Sequence, residues 1–526
     1  MTCFWERECR PIPTGQKHPP ANRVDFDFVA YHARANGGRV ACVDLAADQT
    51  LTFRELDDRI ARCTGWLIGL LSPGARVALL ARNCSDALVL HFACVRAGTI
   101  FQPLNWRLSG HELGALLRDA EPDVLVYQSE FDEAAAQALS AQDVRHVVRC
   151  APEGNLFAAA IAAGAPHPGG DHGPDTPITL LYTSGTTGKP KGVIVTRRNG
   201  WTTAFNFATA NEVAPRDVLL CDMPLFHVAG LFGVARAALF MGGTVLISDR
   251  FVPGVALARM SDPRLGVTHY FAVPQMAVAM LQDAAFAASD LSRLKALVIG
   301  GAPLPKSVVG RLLDGGVMPI EGYGLSEAGT VLAIPLDRDT VVAKAGTSGV
   351  RAPLIDIRLV SADGREAADG EVGEIWLKGP SVTPGYWNQP EASARSFAGG
   401  WFKTGDAARR DADGFYQIVD RWKDMYISGG ENVYPAEIEA ALAEHPAIGE
   451  AAIIGVPDPR WGESGCAYVV ARAEIEAVDV LHHLAGRVAR YKIPRHVVFV
   501  ETLPRTGSGK VKKDELRRAF AADERN

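Results

Sequence analysis

The sequence predicts an α/β protein built in several parts, and three observations carry that prediction. Short apolar runs alternate with helix-like stretches through most of the chain. A turn-rich passage follows from Gly346 to about Tyr416, and a second, shorter αβ pattern begins after Asp420. The expected architecture is therefore a large N-terminal domain of α/β subdomains with a small β-rich subdomain, then a small C-terminal α+β domain.

The alternation is plain in the letters. "RVALLA" (76–81) precedes the helix-like "SDALVLHFACVRAG". "DVLVYQ" (123–128), "ITLLYT" (178–183), "TVLIS" (244–248) and "ALVIGG" (296–301) repeat the theme. Near-continuous apolar strands suit sheets covered by helices on both faces. In the turn-rich passage, "ADG" (362–364), "ADG" (368–370) and "DADG" (411–414) separate short runs such as "EIWLKG", which predicts antiparallel strands. "YPAEIEAALAEH" then sets proline near a helix start, with Ile438, Ala441 and Leu442 at helical spacing. Strands "AAIIGV" and "AYVVA", a helix near 478–490 and the strand "HVVFV" complete the last unit. The expected boundaries are a loose arm over 1–20, a body over 21–420 with its β-rich subdomain at 346–420, and a lid over 421–526.

Bulk properties exclude several classes. A chain of 526 residues exceeds what one core supports. With 54 basic and 60 acidic side chains the formal charge is −6, so nucleic acid is not an expected partner. The nine cysteines form no Cys-x-x-Cys pair, and neither a zinc site nor a disulfide framework is expected. Reduced thiols in a cytoplasmic protein are the plain reading. The opening MTCFWERECRPIPTGQKHPP has no apolar core and does not read as a signal peptide. The most apolar long segment, about Leu219–Ile247, is broken by Asp222, His227 and Arg236, so no transmembrane segment is expected.

One stretch asks for a ligand. "TSGTTGKPKG" (183–192) follows a predicted strand and packs hydroxyls, glycines and two lysines into ten residues. Gly185, Gly188 and Gly192 permit tight turns and close backbone approach. Converging N–H groups, the hydroxyls of Thr183, Ser184, Thr186 and Thr187, and the charges of Lys189 and Lys191 suit a polyphosphate. It is not a Walker A loop, because only Thr186 and Thr187 separate Gly185 from Gly188 and Pro190 follows Lys189. An ordinary turn between strands accounts poorly for this density of donors.

Further stretches follow in a fixed order: "PLFHVAG" (224–230), "GGAPLP" (300–305), "EGYGLSEAG" (321–329), "TGD" (404–406), "DRWKDMYISGGENVYPAEIE" (420–439) and "PRTGSGK" (504–510). With the loop at 183–192 they make the chain resemble the acyl-adenylate-forming enzymes, the acyl- and aryl-CoA synthetase branch in particular. The resemblance spans nearly the whole chain apart from the N-terminal arm. It implies a two-step ligase using ATP, Mg²⁺ and coenzyme A: a carboxylate attacks the α-phosphorus to give acyl-AMP and pyrophosphate, then a thiol displaces AMP.

The resemblance also implies roles. Thr183 and Glu327 would serve Mg²⁺, and oxygen donors suit that hard cation. The loop from Thr183 to Lys191 would cradle the phosphates. Gly301, Ala302 and Pro303, with Glu321, Gly322, Tyr323, Gly324 and Ser326, would wall the adenine site, Tyr323 lying against the purine. Asp406 would accept from the ribose hydroxyls, with Arg421 beside it. Lys510, on a Gly- and Ser-containing loop, would meet the α-phosphate and carboxylate oxygens. Lys423 would be the hinge of a mobile C-terminal domain, and Gly429 and Gly430 would pass the coenzyme thiol. His227, Val228, Gly301, Gly322 and Leu325 would line the acyl pocket, with His227 as its gate. One departure is Ile427, which stands where many relatives carry a basic residue and receives no role.

The expected acid has an uncharged tail, fatty or aryl, because Gly322 stands where malonate-specific relatives place arginine. A stand-alone adenylation enzyme loading a carrier protein is the nearest rival, and Asp222 is its candidate partner for a substrate ammonium. Luciferase-like oxidation is a remote third. A hydrolase elbow at "GLSEA" lacks its final glycine and leaves the phosphate loop and Lys510 without work. A non-catalytic nucleotide sensor would not need Thr183, Glu327, Asp406, Arg421, Lys423 and Lys510 together. A homodimer is compatible with the sequence.

Overall fold

A computed structural model describes residues 26–151, 155–183, 190–302, 304–422, 424–428, 431–485, 487–505 and 509–523. Among these residues the strands form four sheets, of nine, six, five and five strands. The two larger sheets make the body. Six strands of the nine-stranded sheet run parallel, with Val218–Cys221 and His269–Ala272 side by side near its centre. Its edges are antiparallel: Gln49–Thr52 at one side, Gly329–Ala333 and Val350–Arg351 at the other. The central strands are buried along their length, as a sheet covered on both faces requires.

The six-stranded sheet is parallel except for one hairpin, Pro177–Thr183 against Lys191–Thr196. Thr183 pairs with Lys191 at the mouth of that hairpin. The phosphate-loop sequence therefore joins two antiparallel strands rather than a strand and a helix. Converging N–H groups need only successive turn residues, so a hairpin serves as well. The 356–421 region is an antiparallel sheet, with Asp356–Val360, Val372–Lys378, Trp401–Arg410 and Tyr416–Arg421 following one another. Its small apolar core includes Ile355, Leu359, Ile375 and Phe402.

The C-terminal sheet centres on the pair Ile448–Asp458 and Gly462–Ala471. Helices Pro435–Ala443 and Ala477–Leu484 cover one face, burying Ile438, Leu442, Val480 and Leu484. The second of these is shorter than the periodicity predicts. Ala485 is already extended and bridges Val488, and glycine at 486 weakens any continuation by about 1 kcal/mol. The last helix, Lys513–Asp523, packs Leu516 and Phe520 on the other face.

The described cysteines are free thiols, and burial pushes the Cys94 thiol up to about 12. Among the described residues no helix is long and apolar enough to cross a membrane.

Candidate active site

Among the described residues, Tyr323, Asp406, Arg421, Glu327, His227 and Lys510 lie near one another, brought in from the large sheets, the antiparallel sheet and the tail. Asp406 is the hub. Its strand pairs it with Arg421, whose Nε lies 2.9 Å from Oδ1, while the Tyr323 hydroxyl donates to Oδ2 at 2.5 Å. The Asp406 N–H donates in turn to Thr404 Oγ1, which fixes the carboxylate's base. Each oxygen keeps a second lone pair, so ribose hydroxyls still find acceptors here. Desolvation and then the Asp406 charge push the Tyr323 phenol well up, so it stays a donor.

Glu327 sits on the turn after Pro319–Leu325. Thr383 N–H donates to its carbonyl at 2.7 Å, and the Tyr386 hydroxyl donates to its Oε1 at 2.9 Å. Desolvation raises its pKa, and the Tyr386 hydrogen bond opposes that rise. A small cavity of about 10 Å³, room for about one water, opens beside it, lined in part by Asn199, Thr203, Val228, Phe232, Ser326 and Ser381.

Glu327 and Thr183 offer a carboxylate and a hydroxyl, hard oxygen donors that fit Mg²⁺. No cluster of three or more His, Cys, Asp or Glu able to hold a metal occurs among the described residues. A two-donor site suits an ion that keeps its waters and binds substrate phosphates.

His227 precedes a π-helical stretch, Ala229–Ala235. Gly230 explains that irregular turn: a Cβ there would lie 2.3 Å from the Pro224 carbonyl oxygen. His227 stays open to the cleft. Its pKa is pushed down to about 4 by desolvation, then by Lys510 and Arg107, so the imidazole is neutral at pH 7. Arg107 played no part in the sequence reading, because nothing local in "NWRLS" distinguishes it from a surface arginine.

Lys510 reaches the same cleft from the tail. A bridge between Arg505 and Val511 closes the base of its loop, and Arg505 pairs with Glu450 at 2.6 Å. The ammonium keeps solvent contact, yet surrounding protein desolvates it and Arg421 adds repulsion, which lowers its pKa. Asp406 and Glu327 pull the other way. The tail thus faces its lysine toward the hub.

Placement differs along the expected acyl wall. A Cβ on Gly300 would touch Phe271 at 3.2 Å and the Gly322 carbonyl oxygen at 3.4 Å, so ring and backbone already abut there. Gly301 adopts φ 90°, which favours glycine. Phe271, Val273 and Val228 all pack against the main core. Leu325 does not join them. With Tyr323 it packs against the smaller core of Ala328, Val331 and Ile355.

Glu321 is buried beside these glycines, accepting from Leu304 N–H at 3.5 Å, and desolvation lifts its pKa to about 7. Asp222 is also buried. It accepts from the Tyr270 hydroxyl at 2.7 Å and lies 3.7 Å from Arg259, so its charge is already engaged. Ser184–Lys189, Pro303, Lys423, Gly429 and Gly430 lie outside the described residues. Of the remaining sequence-predicted residues, Ala302 and Gly324 are exposed and Ser326 lines the cavity.

The chain is similar to known proteins in sequence and in fold. Residues 29–387 match the AMP-binding enzyme family and residues 437–510 match the AMP-binding enzyme C-terminal domain. The chain is 42% identical over 479 residues to a feruloyl-CoA synthase of an Amycolatopsis species, covering 89% of this chain and 94% of that one. It is 38% identical over 505 residues to an indoleacetate–CoA ligase of Aromatoleum aromaticum, covering 94% and 98%. Its fold superimposes on ATP-bound MatB from Rhodopseudomonas palustris with a TM-score of 0.84 at 32% identity, covering 94% of this chain and 99% of that one.

Proposed function

The chain belongs to the AMP-binding enzymes, and from that premise we propose that it is an AMP-forming CoA ligase for an aryl acid, completed by Lys510 from the tail. As an acid–thiol ligase it uses ATP, Mg²⁺ and coenzyme A, forming acyl-AMP and pyrophosphate and then the acyl-CoA and AMP. The observation that carries the reading is the cluster in which Arg421 and Tyr323 both hold Asp406, with Lys510 near enough to feel the charges of Arg421, Asp406 and Glu327.

In the first step the substrate carboxylate and the α-phosphate, both anionic, must meet. Lys510 brings positive charge to their oxygens, and Arg421 supplies a second cation nearby. This is electrostatic stabilisation in a partly desolvated cleft, where fixed charges act more strongly than in water. Mg²⁺, held by Thr183 and Glu327, would neutralise the polyphosphate. Asp406 takes the ribose hydroxyls, and Tyr323, tethered to Asp406, lies against the purine between the glycines at 300–301 and 322–324. The loop Thr183–Lys191 holds the phosphates. Neutral His227 gates the acyl entrance without adding charge to an apolar tail.

For the second step the tail turns about Lys423, withdrawing Lys510 and bringing Gly429 and Gly430 to the thiol. That is gating of two chemistries at one site. The moving unit is residues 421–526 and the body is 21–420; the arm expected over 1–20 lies outside the described residues. Phe271 against Gly300 offers a flat apolar wall, and the feruloyl and indoleacetate relatives favour an aryl acid over a fatty chain. A cytoplasmic location is expected, and a homodimer is a compatible assembly.

Measuring pyrophosphate-dependent ATP exchange and thioester formation separately tests the assignment. Lys510→Ala should nearly abolish exchange while keeping thioester formation from supplied acyl-adenylate. Equal loss of both would overturn it. A panel of cinnamates, benzoates, arylacetates and fatty acids tests the substrate class, and preference for long fatty chains would refute the aryl reading.

A further inference from the structure

Residues Thr383–Trp387 escaped the motif reading, yet they splint two parts of the site together. Thr383 N–H donates to the Glu327 carbonyl at 2.7 Å, and its Oγ1 donates to Ile194 O at 2.7 Å. Ile194 N–H donates to Gly385 O at 3.1 Å, and Trp387 N–H donates to Gly192 O at 2.7 Å. Tyr386 also bridges Val193. The segment therefore lies along Lys191–Thr196, the limb that leaves the phosphate loop, joined to it by these hydrogen bonds and one antiparallel bridge.

Tyr386 uses both ends of its side chain. Its hydroxyl donates to Glu327 Oε1 at 2.9 Å, and Lys191 Nζ lies 4.8 Å from its ring centroid. The residue is only 8% exposed, and Ser393 Oγ accepts from its N–H at 2.9 Å. A buried ring held on both sides has little freedom to release either partner. Thr183, paired in register with Lys191, is thereby linked to Glu327 through a short, rigid path.

We infer that Tyr386 is a positioning residue for adenylation: its hydroxyl fixes one oxygen of Glu327 and so aims the other toward the phosphates, while its ring seats Lys191. The inference rests on the reading that Glu327 serves Mg²⁺. A tyrosine that merely filled space would keep its packing as phenylalanine and leave metal-dependent binding untouched. A hydrogen bond to a charged group contributes enough to change an equilibrium about tenfold or more.

The test compares Tyr386→Phe, Tyr386→Leu, Glu327→Gln and the Phe/Gln double variant as full-length proteins. Calorimetry would measure binding of Mg·ATP and of ATP in EDTA, with thermal melting as the folding check. Tyr386→Phe should weaken Mg·ATP about tenfold and leave metal-free ATP within about twofold. Glu327→Gln should abolish the gain in affinity from Mg²⁺, and adding Tyr386→Phe to it should change nothing further. Tyr386→Leu, which also removes the ring beneath Lys191, should weaken metal-free ATP as well.

If Glu327→Gln loses the Mg²⁺ gain while Tyr386→Phe keeps it, the inference about Tyr386 fails and the metal reading stands. If Glu327→Gln keeps the gain, the metal reading itself fails. Equal weakening of both ATP forms by Tyr386→Phe would also overturn the inference. A Leu variant that behaves as Phe would remove the role given to the ring.

Discussion

Gly230→Ala is a small change with a calculable consequence. The added methyl would lie 2.3 Å from the Pro224 carbonyl oxygen, 2.7 Å from its carbon and 2.8 Å from the Met223 carbonyl oxygen. All three atoms are backbone, so no side chain can swing aside. Ordinary contact needs roughly another ångström, and the turn Met223–His227 must move or the π-helical stretch must unwind. Overpacking of this kind costs about 3 kcal/mol. In a body of this size that lowers the melting temperature by roughly 3–5 °C.

The same shift displaces His227, whose N–H donates to Pro224 O at 3.0 Å and whose carbonyl accepts from Leu231 N–H at 3.0 Å. A misplacement near 1 Å at the acyl entrance can cost up to about a hundredfold in rate. We therefore expect kcat/KM for the acid to fall at least about tenfold, with KM for ATP within about twofold. Steady-state kinetics varying each substrate, with a melting curve, would decide it. An unaltered melting temperature with normal acid kinetics would refute the claim that Gly230 is required by close backbone approach.

Three further outcomes follow from the same geometry. Gly329 has φ 66° and its Cβ would lie 2.3 Å from Thr203 Cγ2, so Gly329→Ala should destabilise the turn bearing Glu327; Thr203→Ala removes the two nearest atoms and should restore part of the loss in melting temperature. His91 is fully buried and lies 2.8 Å from the Arg236 guanidinium, and desolvation, then Arg236, hold its pKa well below 6.5. The unfolded chain binds a proton near pH 6.5 that the native state refuses, so stability should fall as pH drops below that value. His91→Gln should flatten the pH dependence of the unfolding free energy between pH 6.5 and 5 by up to about 1.4 kcal/mol per pH unit, read from denaturant melts at each pH, and an unchanged slope would count against it. Lys423→Pro fixes φ at the proposed hinge and should spare pyrophosphate exchange while suppressing CoA thioester turnover; normal turnover would exclude the hinge.

The fold class was legible because buried parallel strands leave unmistakable letters. Runs such as Ala296–Ile299, and Val245–Ile247 after Thr244, are apolar throughout, since both faces of their sheet are covered. The turn-punctuated 356–421 region read equally well, because hairpins need glycine and aspartate at their bends. The candidate site was legible through local stretches whose composition suits a ligand, the glycine–threonine stretch at 183–192 above all.

What the sequence determined by itself was which stretches are candidates for the chemistry: Thr183, Glu327, Asp406, Arg421 and Lys510 stand where covalent order sets the donors and charges, and their roles are the ones we propose. Tertiary structure alone decided which partners they meet. Tyr386 lies 59 residues from Glu327, and its ring meets Lys191 across separate strands. Arg107 contributes to the field at His227 only because the chain folds back 120 positions. Leu325 packs beside Tyr323 in the smaller core rather than joining Phe271 and Val273. Electrostatics and packing act through space, and letters record only distance along the chain.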